Sequence, residues 1–414
     1  MSSFRIPKGT RDLFPPEIDR WLFLEQKIRE YYSRFLYQEV RTPIFEHSEL
    51  FMRGIGDETE VVSKEMYRFR DKAGRDLTLR PENTASLVRA AVENNFMEHL
   101  YPPRFYYIGP MFRYDKPQKG RFRQFHQFGV EILGDPTPQA DAELIYTSVE
   151  FLREIGIDGL TLLVNSVGCR ECRPGYLREL RAAAGQADLC DECRGRVAGN
   201  CLRIFDCKEE KCRRTVRDLP KILDFLCEDC RRHFDQMKDT LDQYQVPFRI
   251  DPTLVRGLDY YTKTAFEIIS GQLGAQDALL GGGRYDDLFR ELGGPDLPAV
   301  GFAAGMERII LHLADFSPPK RKKTMVIYQQ PECLNHAIRV ARRFWEAGHA
   351  ALVEYAAQKF KKQFQRANRI EADFAVIIGP EEIRTGELSI KNLKTREQES
   401  IKEKDLTKWQ KQNL

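Results

Sequence analysis

Apolar residues in the first part of the chain recur at two different periods. Between Pro15 and Leu36, the residues Ile18, Trp21, Leu22, Leu24, Ile28 and Tyr31 or Tyr32 return near helical spacing, which predicts an amphipathic helix. Tyr37–Pro43 reads as extended and ends on a proline, which suits a strand end. Phe105–Gly109 and Phe125–Leu133 are aromatic and β-branched runs. They predict two strands joined by the charged stretch Arg113–Arg123, with Pro117 and Gly120 as punctuation. A helix over Asp141–Ile155 and an apolar strand over Leu160–Asn165 follow. Strand patterns resume at Phe266–Ile269 and Leu297–Phe302, and Ala303–Leu313 reads as a helix. The break Ser317-Pro-Pro-Lys-Arg-Lys-Lys then divides the chain into domains 1–316 and 317–414. Beyond it, strand and helix signals alternate at Met325–Tyr328, Leu334–Ala347, Ala351–Glu354, Lys359–Ile370 and Phe374–Gly379. That alternation predicts a small α/β domain with a mainly parallel sheet.

Composition adds little until it is divided. The 414 residues are 42% hydrophobic and 31% charged, an ordinary globular balance. No run approaches the 18 or so uninterrupted apolar residues of a transmembrane helix. The opening Met1-Ser-Ser-Phe-Arg-Ile-Pro-Lys-Gly has no apolar signal-peptide core, so a cytoplasmic protein is expected. The net charge of +3 is uninformative as a whole. Ser317–Leu414, however, carries 20 Lys and Arg against 12 Asp and Glu, leaving the remainder slightly acidic. A basic module on an acidic body fits a polyanion partner, and a lysine-rich solvated face fits equally well.

Nine of ten cysteines lie between Cys169 and Cys230, inside a stretch of about residues 166–245 that reads as an insertion. Three Cys-x-x-Cys pairs occur there: Cys169/Cys172, Cys190/Cys193 and Cys227/Cys230. The first two pairs are 17 residues apart, a spacing that fits a four-thiolate zinc site. Cys201, Cys207 and Cys212 leave the ligand set ambiguous, and reduced, partly buried thiols are the alternative.

Four motifs carry chemistry: Thr78-Leu-Arg-Pro-Glu-Asn-Thr84, Phe112–Glu131, Leu254-Val-Arg-Gly-Leu-Asp-Tyr-Tyr-Thr262, and the pair Gly281-Gly-Gly-Arg-Tyr-Asp286 with Gly301-Phe-Ala-Ala-Gly-Met-Glu-Arg308. They offer Arg113, Arg121, Arg256 and Arg308 in isolated positions, where guanidinium groups suit phosphate oxygens. Glu82, Gln127 and Glu131 stand at strand ends, suited to an amino group or a polar ring. No Walker loop or Rossmann fingerprint is present. Each motif also has a plainer reading: the triple glycine as a turn, the arginine-rich connection as a solvated loop, and His126 as a structural histidine.

Together, from Lys8-Gly-Thr-Arg-Asp12 onward, these pieces resemble the class II aminoacyl-tRNA synthetases, and within them the histidyl-tRNA synthetase family. Phe112–Glu131 matches class motif 2 and Gly301–Arg308 matches motif 3. Arg256-Gly-Leu-Asp-Tyr-Tyr261 and Gly281-Gly-Gly-Arg-Tyr285 match the two histidine-specific signatures. The resemblance implies an α+β catalytic core built on an antiparallel sheet, with the Cys-rich subdomain inserted and a C-terminal α/β anticodon-binding domain. It implies ATP-dependent attachment of L-histidine to tRNA(His) through histidyl-adenylate, with magnesium, and dimerisation through Tyr37–Pro43. Residue by residue, it implies that Glu82, Thr84 and Gln127 hold the histidine amino group. Glu131 and Tyr261 would read the imidazole nitrogens and Tyr285 would line the pocket, with Asn83 and Tyr260 also in the histidine site. Arg113 and Arg256 would flank the α-phosphate as catalytic residues, with Arg121 and Arg308 at the γ-phosphate. Lys116 belongs to the motif 2 loop that meets the tRNA acceptor end. A histidine-sensing regulatory relative without ligase activity, or a prolyl or threonyl synthetase, is the rival reading. Zinc in the insertion stays open, because many family members lack these cysteines.

Overall fold

The computed structural model describes residues 4–56, 59–117, 120–271, 278–313, 318, 321–356 and 359–414. Residues 317, 319 and 320 of the basic break, and residues 118 and 119 of the charged connection, lie outside them. The chain forms two units, Met1–Ser317 and Pro318–Leu414.

In the first unit the strands run in chain order as β1 (Gln38–Glu39), β2 (Phe45–His47), β3 (Tyr67–Arg70), β4 (Asp76–Leu79), β5 (Arg104–Phe112) and β6 (Gln124–Leu133). They continue as β7 (Leu160–Ser166), β8 (Arg249–Ile250), β9 (Thr262–Ser270), β10 (Ala278–Arg284) and β11 (Ala299–Gly305). Eight of them make one sheet in the order β1-β5-β6-β11-β10-β9-β7-β8. Its six central strands pair antiparallel, and only the two-residue edge strands β1 and β8 run parallel to their neighbours. The strands β2, β4 and β3 form a small separate sheet in that order.

One face of the large sheet is apolar. Phe128, Val130, Phe266, Ile268 and Phe302 project into the main core, where the helices Glu17–Ser33 and Pro138–Glu154 cover them. The first helix follows two prolines and buries Trp21, Leu24, Ile28, Tyr31 and Tyr32 at helical spacing. Leu24 and Ile28 each contribute about 1.5–3 kcal/mol by leaving water. Leu22, expected on the same face, is 57% exposed, because its position falls between the buried turns. The second helix starts at Pro138 with Thr137 as N-cap, its hydroxyl accepting from the Ala140 N–H at 3.4 Å.

The structure removes one plainer reading and corrects one expectation. Gly281–Gly283 is not a turn: it lies in the middle of β10, paired on both sides. The helix expected over Ala303–Leu313 begins only at Met306, since Ala303–Gly305 remain in β11 and pair with Gln127–Gly129. Small apolar residues read equally well as either element, and the open edge of β6 decides.

The Gly-Gly-Gly-Arg motif ends in an anchor. Arg284 is fully buried and donates from Nε to Asp141 at 3.0 Å, and to the carbonyls of Asp135 and Thr137 at 2.8 and 3.0 Å. Asp141 also meets His233 Nε2 at 2.7 Å, so strand β10, the helix Pro138–Glu154 and the helix Glu228–Gln243 share one buried ionic knot. The insertion emerges between β7 and β8 as the helices Cys172–Gly185, Asp191–Ala198, Glu210–Thr215 and Glu228–Gln243.

The second unit has a five-stranded sheet of β12 (Lys323–Tyr328), β13 (Ala350–Val353), β14 (Phe374–Ile378), β15 (Glu387–Asn392) and β16 (Gln398–Lys402), ordered β13-β12-β14-β15-β16. The first three strands are parallel, and the last two add antiparallel. The pattern missed β15 and β16. Gln398–Lys402 is exposed except at Ile401, so it carries almost no apolar signal.

Candidate active site

The opposite face of the large sheet is built from absences. Residues on it alternate as Gln127, Gly129 and Glu131 on β6; Gly301, Ala303 and Gly305 on β11; Gly281 and Gly283 on β10; and Ala265 and Glu267 on β9. The register places these sets side by side. A floor of glycine and alanine between two glutamates leaves room above the sheet for a ligand. The cleft over it has a volume of ≈ 420 Å³.

Two glycines are dictated by close approach. A Cβ on Gly301 would stand 1.4 Å from Glu131 Oε2, so only glycine lets that carboxylate lie across the neighbouring strand. A Cβ on Gly281 would lie 2.3–2.5 Å from the Arg256 guanidinium, which therefore rests flat on the strand.

Glu131 is fully buried and accepts from the Tyr285 hydroxyl at 2.6 Å and the Thr84 hydroxyl at 2.9 Å. Burial outweighs both bonds and pushes its pKa up to about 8. Folding therefore favours protonated Glu131, and that part of the stability is full below the free carboxyl range near pH 4.5 and is lost as pH rises toward 8. The wild-type melting temperature should fall across that window relative to Glu131→Gln, which lacks the titrating group. Parallel curves in thermal melts at several pH values would show that Glu131 ionises freely.

Glu82 caps the helix Thr84–Glu93, accepting from the N–H groups of Thr84 at 2.6 Å and Ala85 at 2.9 Å. Burial nevertheless raises its pKa. Gln127 Oε1 is buried without a hydrogen-bond partner, and Gln127 lines the cleft together with Glu82 and Thr84. Tyr260 and Tyr261 close one side, with ring centroids 4.6 Å apart, while Tyr285 packs edge-on against Tyr260 beneath them. Glu131 and Tyr285 are fully buried and do not line the cleft, and neither does Asn83. Its Oδ1 accepts from Thr42 at 2.6 Å and Arg80 at 3.0 Å, which turns it toward the scaffold.

All four expected arginines line the cleft. Arg113 donates to the Pro81 carbonyl at 2.9 Å, Arg121 to Asp115 at 3.0 Å, Arg256 to Glu267 at 2.6 Å, and Arg308 to the Ala278 carbonyl. Burial lowers the Arg308 pKa, and the positive charges of Arg121, Arg113 and Arg256 lower it further. Such crowding of like charge calls for a polyanion. His126 is a brace: its N–H and ring meet Glu307, and the ring packs edge-on against Trp21 at 4.9 Å. Lys116 is exposed on the connection between β5 and β6.

Pattern reasoning missed Glu267 and Arg203, both at the cleft. A lone carboxylate inside the apolar run Ala265–Ile269 was the available signal for Glu267. Arg203 comes from the insertion and left no signal.

The cysteines do not pair as their spacing suggests. Cys169 and Cys172 join Cys227 and Cys230, whereas Cys190 and Cys193 join Cys207 and Cys212. The expected set Cys169, Cys172, Cys190 and Cys193 is excluded by the helix Cys172–Gly185, whose 14 residues carry the chain about 20 Å away.

An antiparallel sheet bearing an arginine-ringed cleft, followed by a basic α/β unit, has the architecture of a class II aminoacyl-tRNA synthetase. Residues 9–191 and 202–309 match the family profile "Histidyl-tRNA synthetase", and residues 323–413 match "Anticodon binding domain". The chain belongs to the histidyl-tRNA synthetase family. It is 44% identical over 403 residues to "Histidine--tRNA ligase" of Halothermothrix orenii, with 96% of each chain covered. Against the protein of that name from Listeria monocytogenes the identity is 46% over 409 residues, again with 96% of each covered. The crystal structure of apo S. aureus histidyl-tRNA synthetase superposes with a TM-score of 0.83 at 32% identity, covering 98% of this chain and 99% of that one. No helix among the described residues is long and apolar enough to cross a membrane.

Proposed function

We propose that the chain attaches L-histidine to tRNA(His) in two steps, of which the first consumes ATP. In that step, the histidine carboxylate attacks the α-phosphorus of ATP, pyrophosphate leaves, and histidyl-adenylate remains. The carboxylate is already ionised near neutrality, so position and cationic stabilisation replace a general base. In the second, the 3′-hydroxyl of the terminal adenosine attacks the acyl carbon and releases AMP. Arg113 and Arg256 are assigned to the α-phosphate, and Arg121 and Arg308 to the γ-phosphate end. Glu65 and Glu267 line the cleft and would offer magnesium hard oxygen ligands, with Glu267 sharing its carboxylate with Arg256, and the ion would neutralise departing pyrophosphate.

The observation that carries this reading is Glu131 buried under the cleft between Tyr285 and Thr84. An imidazole that donates an N–H to this glutamate favours its ionised form against the burial that otherwise keeps it protonated, and a side chain without such a donor forgoes that interaction. Glu82, Thr84 and the unpartnered Gln127 Oε1 supply acceptors for the ammonium group. Zinc would enter only as a structural ion of the insertion, since no cysteine lines this cleft among the described residues.

ATP–pyrophosphate exchange across the twenty amino acids tests the assignment. Stimulation by histidine alone is expected; stimulation by another amino acid, or by none, would overturn it.

The basic unit is assigned to the anticodon stem-loop, through phosphate contacts and splayed bases. Deleting Ser317–Leu414 should leave histidine-dependent exchange within a few fold. It should also weaken tRNA binding by ten- to a hundredfold and flatten its salt dependence. Equal loss of both activities in a folded truncation would count against that role. A cytoplasmic homodimer is the proposed working form; exposed Leu36, Ile44 and Phe45, flanking Tyr37–Pro43, supply apolar surface for it. Sedimentation checks the dimer.

A further inference from the structure

The core of the insertion is unusually rich in cysteine. Six of its fifteen buried core residues are cysteines, a composition that small subdomains hold together with metal or cross-links. Eight of the ten cysteines gather in two quartets, and within each quartet all Sγ atoms lie within 4.8 Å of one another. In the first quartet the Sγ separations are 3.5 Å for Cys169–Cys172, 3.7 Å for Cys172–Cys230, 3.8 Å for Cys169–Cys227 and 3.9 Å for Cys172–Cys227. In the second, Cys190–Cys207 is 3.9 Å. Four thiolates about 2.3 Å from a tetrahedral zinc have edges of about 3.8 Å.

Backbone donors already face the sulfurs. The N–H of Cys169 points to Cys172 Sγ at 3.1 Å and that of Glu171 to Cys169 Sγ at 3.4 Å. The N–H of Cys190 points to Cys212 Sγ at 3.1 Å and that of Cys193 to Cys190 Sγ at 3.5 Å. These donors favour sulfur in its anionic form. Cys201 stays outside both quartets, in the core of the insertion.

The same segments reach the active site. Between Cys193 and Cys207, Asn200 donates to Asp259 at 2.7 Å and Arg203 to the Gly257 carbonyl at 3.0 Å. Next to Cys172, Arg173 donates to the Tyr261 carbonyl and, at 3.3 Å, to that of Val167. Gly257, Asp259 and Tyr261 belong to the segment that carries Arg256.

We propose that the insertion binds two zinc ions, one in each cysteine quartet, and that they hold the Arg256–Tyr261 segment from both ends. Each ion takes up four thiolates and releases four thiol protons, leaving a site of net charge −2. Arg170 and Arg173 beside the first quartet, and Lys208, Lys211, Arg213 and Arg214 beside the second, offset that charge along the sequence. Soft sulfur ligands in a tetrahedron select zinc over magnesium or calcium. Arg203 and Arg173 act here as positioning residues.

The zinc stoichiometry is independent of the ligase assignment; the hold on Arg256 rests on it. Elemental analysis of untagged protein, prepared under reducing conditions, should give two zinc per chain. Cys207→Ser/Cys212→Ser and Cys227→Ser/Cys230→Ser should each retain one. Cobalt substitution of the wild-type chain, which needs no variant to fold, should give the thiolate charge-transfer and tetrahedral ligand-field bands of two S4 sites. Zinc absent, one zinc per chain, or iron in its place would overturn the paired zinc sites. For the hold on the segment, Arg203→Gln should keep both zinc ions and lower kcat of the histidine-dependent exchange about tenfold, with KM for histidine within twofold. An unchanged kcat, or a rise in KM alone, would overturn it.

Discussion

Replacing Arg256 with histidine should slow histidyl-adenylate formation by about two to three orders of magnitude while histidine affinity stays within a few fold. A preorganised donor aimed at charge developing on a phosphoryl oxygen is worth about 3–4 kcal/mol, which sets that scale. The structure supplies the preorganisation: Glu267 fixes one side of the guanidinium at 2.6 Å, and Gly281 lets it lie against the floor. Histidine contacts are assigned elsewhere, to Glu82, Gln127, Glu131 and Tyr261. Gly281→Ala makes the same point without removing a charge. Its Cβ would displace the guanidinium, so it should reproduce much of the rate loss with Arg256 still present. Pre-steady-state adenylate formation beside a thermal melt separates catalysis from bracing. A less stable Arg256→His that still activates histidine at the normal rate per folded molecule would reduce Arg256 to an architectural role.

Arg284→Met should be among the most destabilising single changes in the first unit, by about 3–5 kcal/mol, because it leaves the buried Asp141 carboxylate with His233 as its remaining partner. Burial works against the Asp141 charge, but Arg284 and His233 outweigh it and bring its pKa down to about 2. A depressed carboxyl pKa stabilises above the unfolded value near 4 and ceases to do so as pH falls toward 2. The gap between wild type and Arg284→Met should therefore be full at pH 5–7 and close below pH 4. Urea unfolding across that range measures it. Adding Asp141→Leu should recover most of the loss, since a buried pair exchanged for apolar volume is often neutral. If Asp141→Leu/Arg284→Met is as unstable as Arg284→Met, the penalty comes from lost packing and not from the Asp141 charge.

The legible parts of the molecule were those where side-chain type and backbone period agree. The aromatic and β-branched run Phe125–Leu133 marks β6, and the lone arginines Arg113, Arg121, Arg256 and Arg308 all reach one cleft. What stayed hidden depends on distance in space. Nothing in Cys169-x2-Cys172 reveals that the helix Cys172–Gly185 carries Cys190 out of reach while the helix Glu228–Gln243 begins beside Cys230's partners. Asn83 sits between two cleft residues and still faces Arg80, because consecutive residues at a helix start point in different directions. Glycine is hardest of all to read: Gly301 is required by Glu131, on another strand, and no local pattern says so.

Each of the four cleft arginines already holds an oxygen of the protein itself, from Pro81, Asp115, Glu267 or Ala278. A guanidinium has five N–H donors, so an arginine anchored through one of them keeps others for phosphate. The cations are therefore set in place before nucleotide arrives, and little of the binding energy goes into ordering them. On the proposed assignment a lone inorganic phosphate reaches one or two of these groups and a triphosphate spans the set, so chain length of the polyanion, more than charge alone, becomes the quantity that the cleft measures.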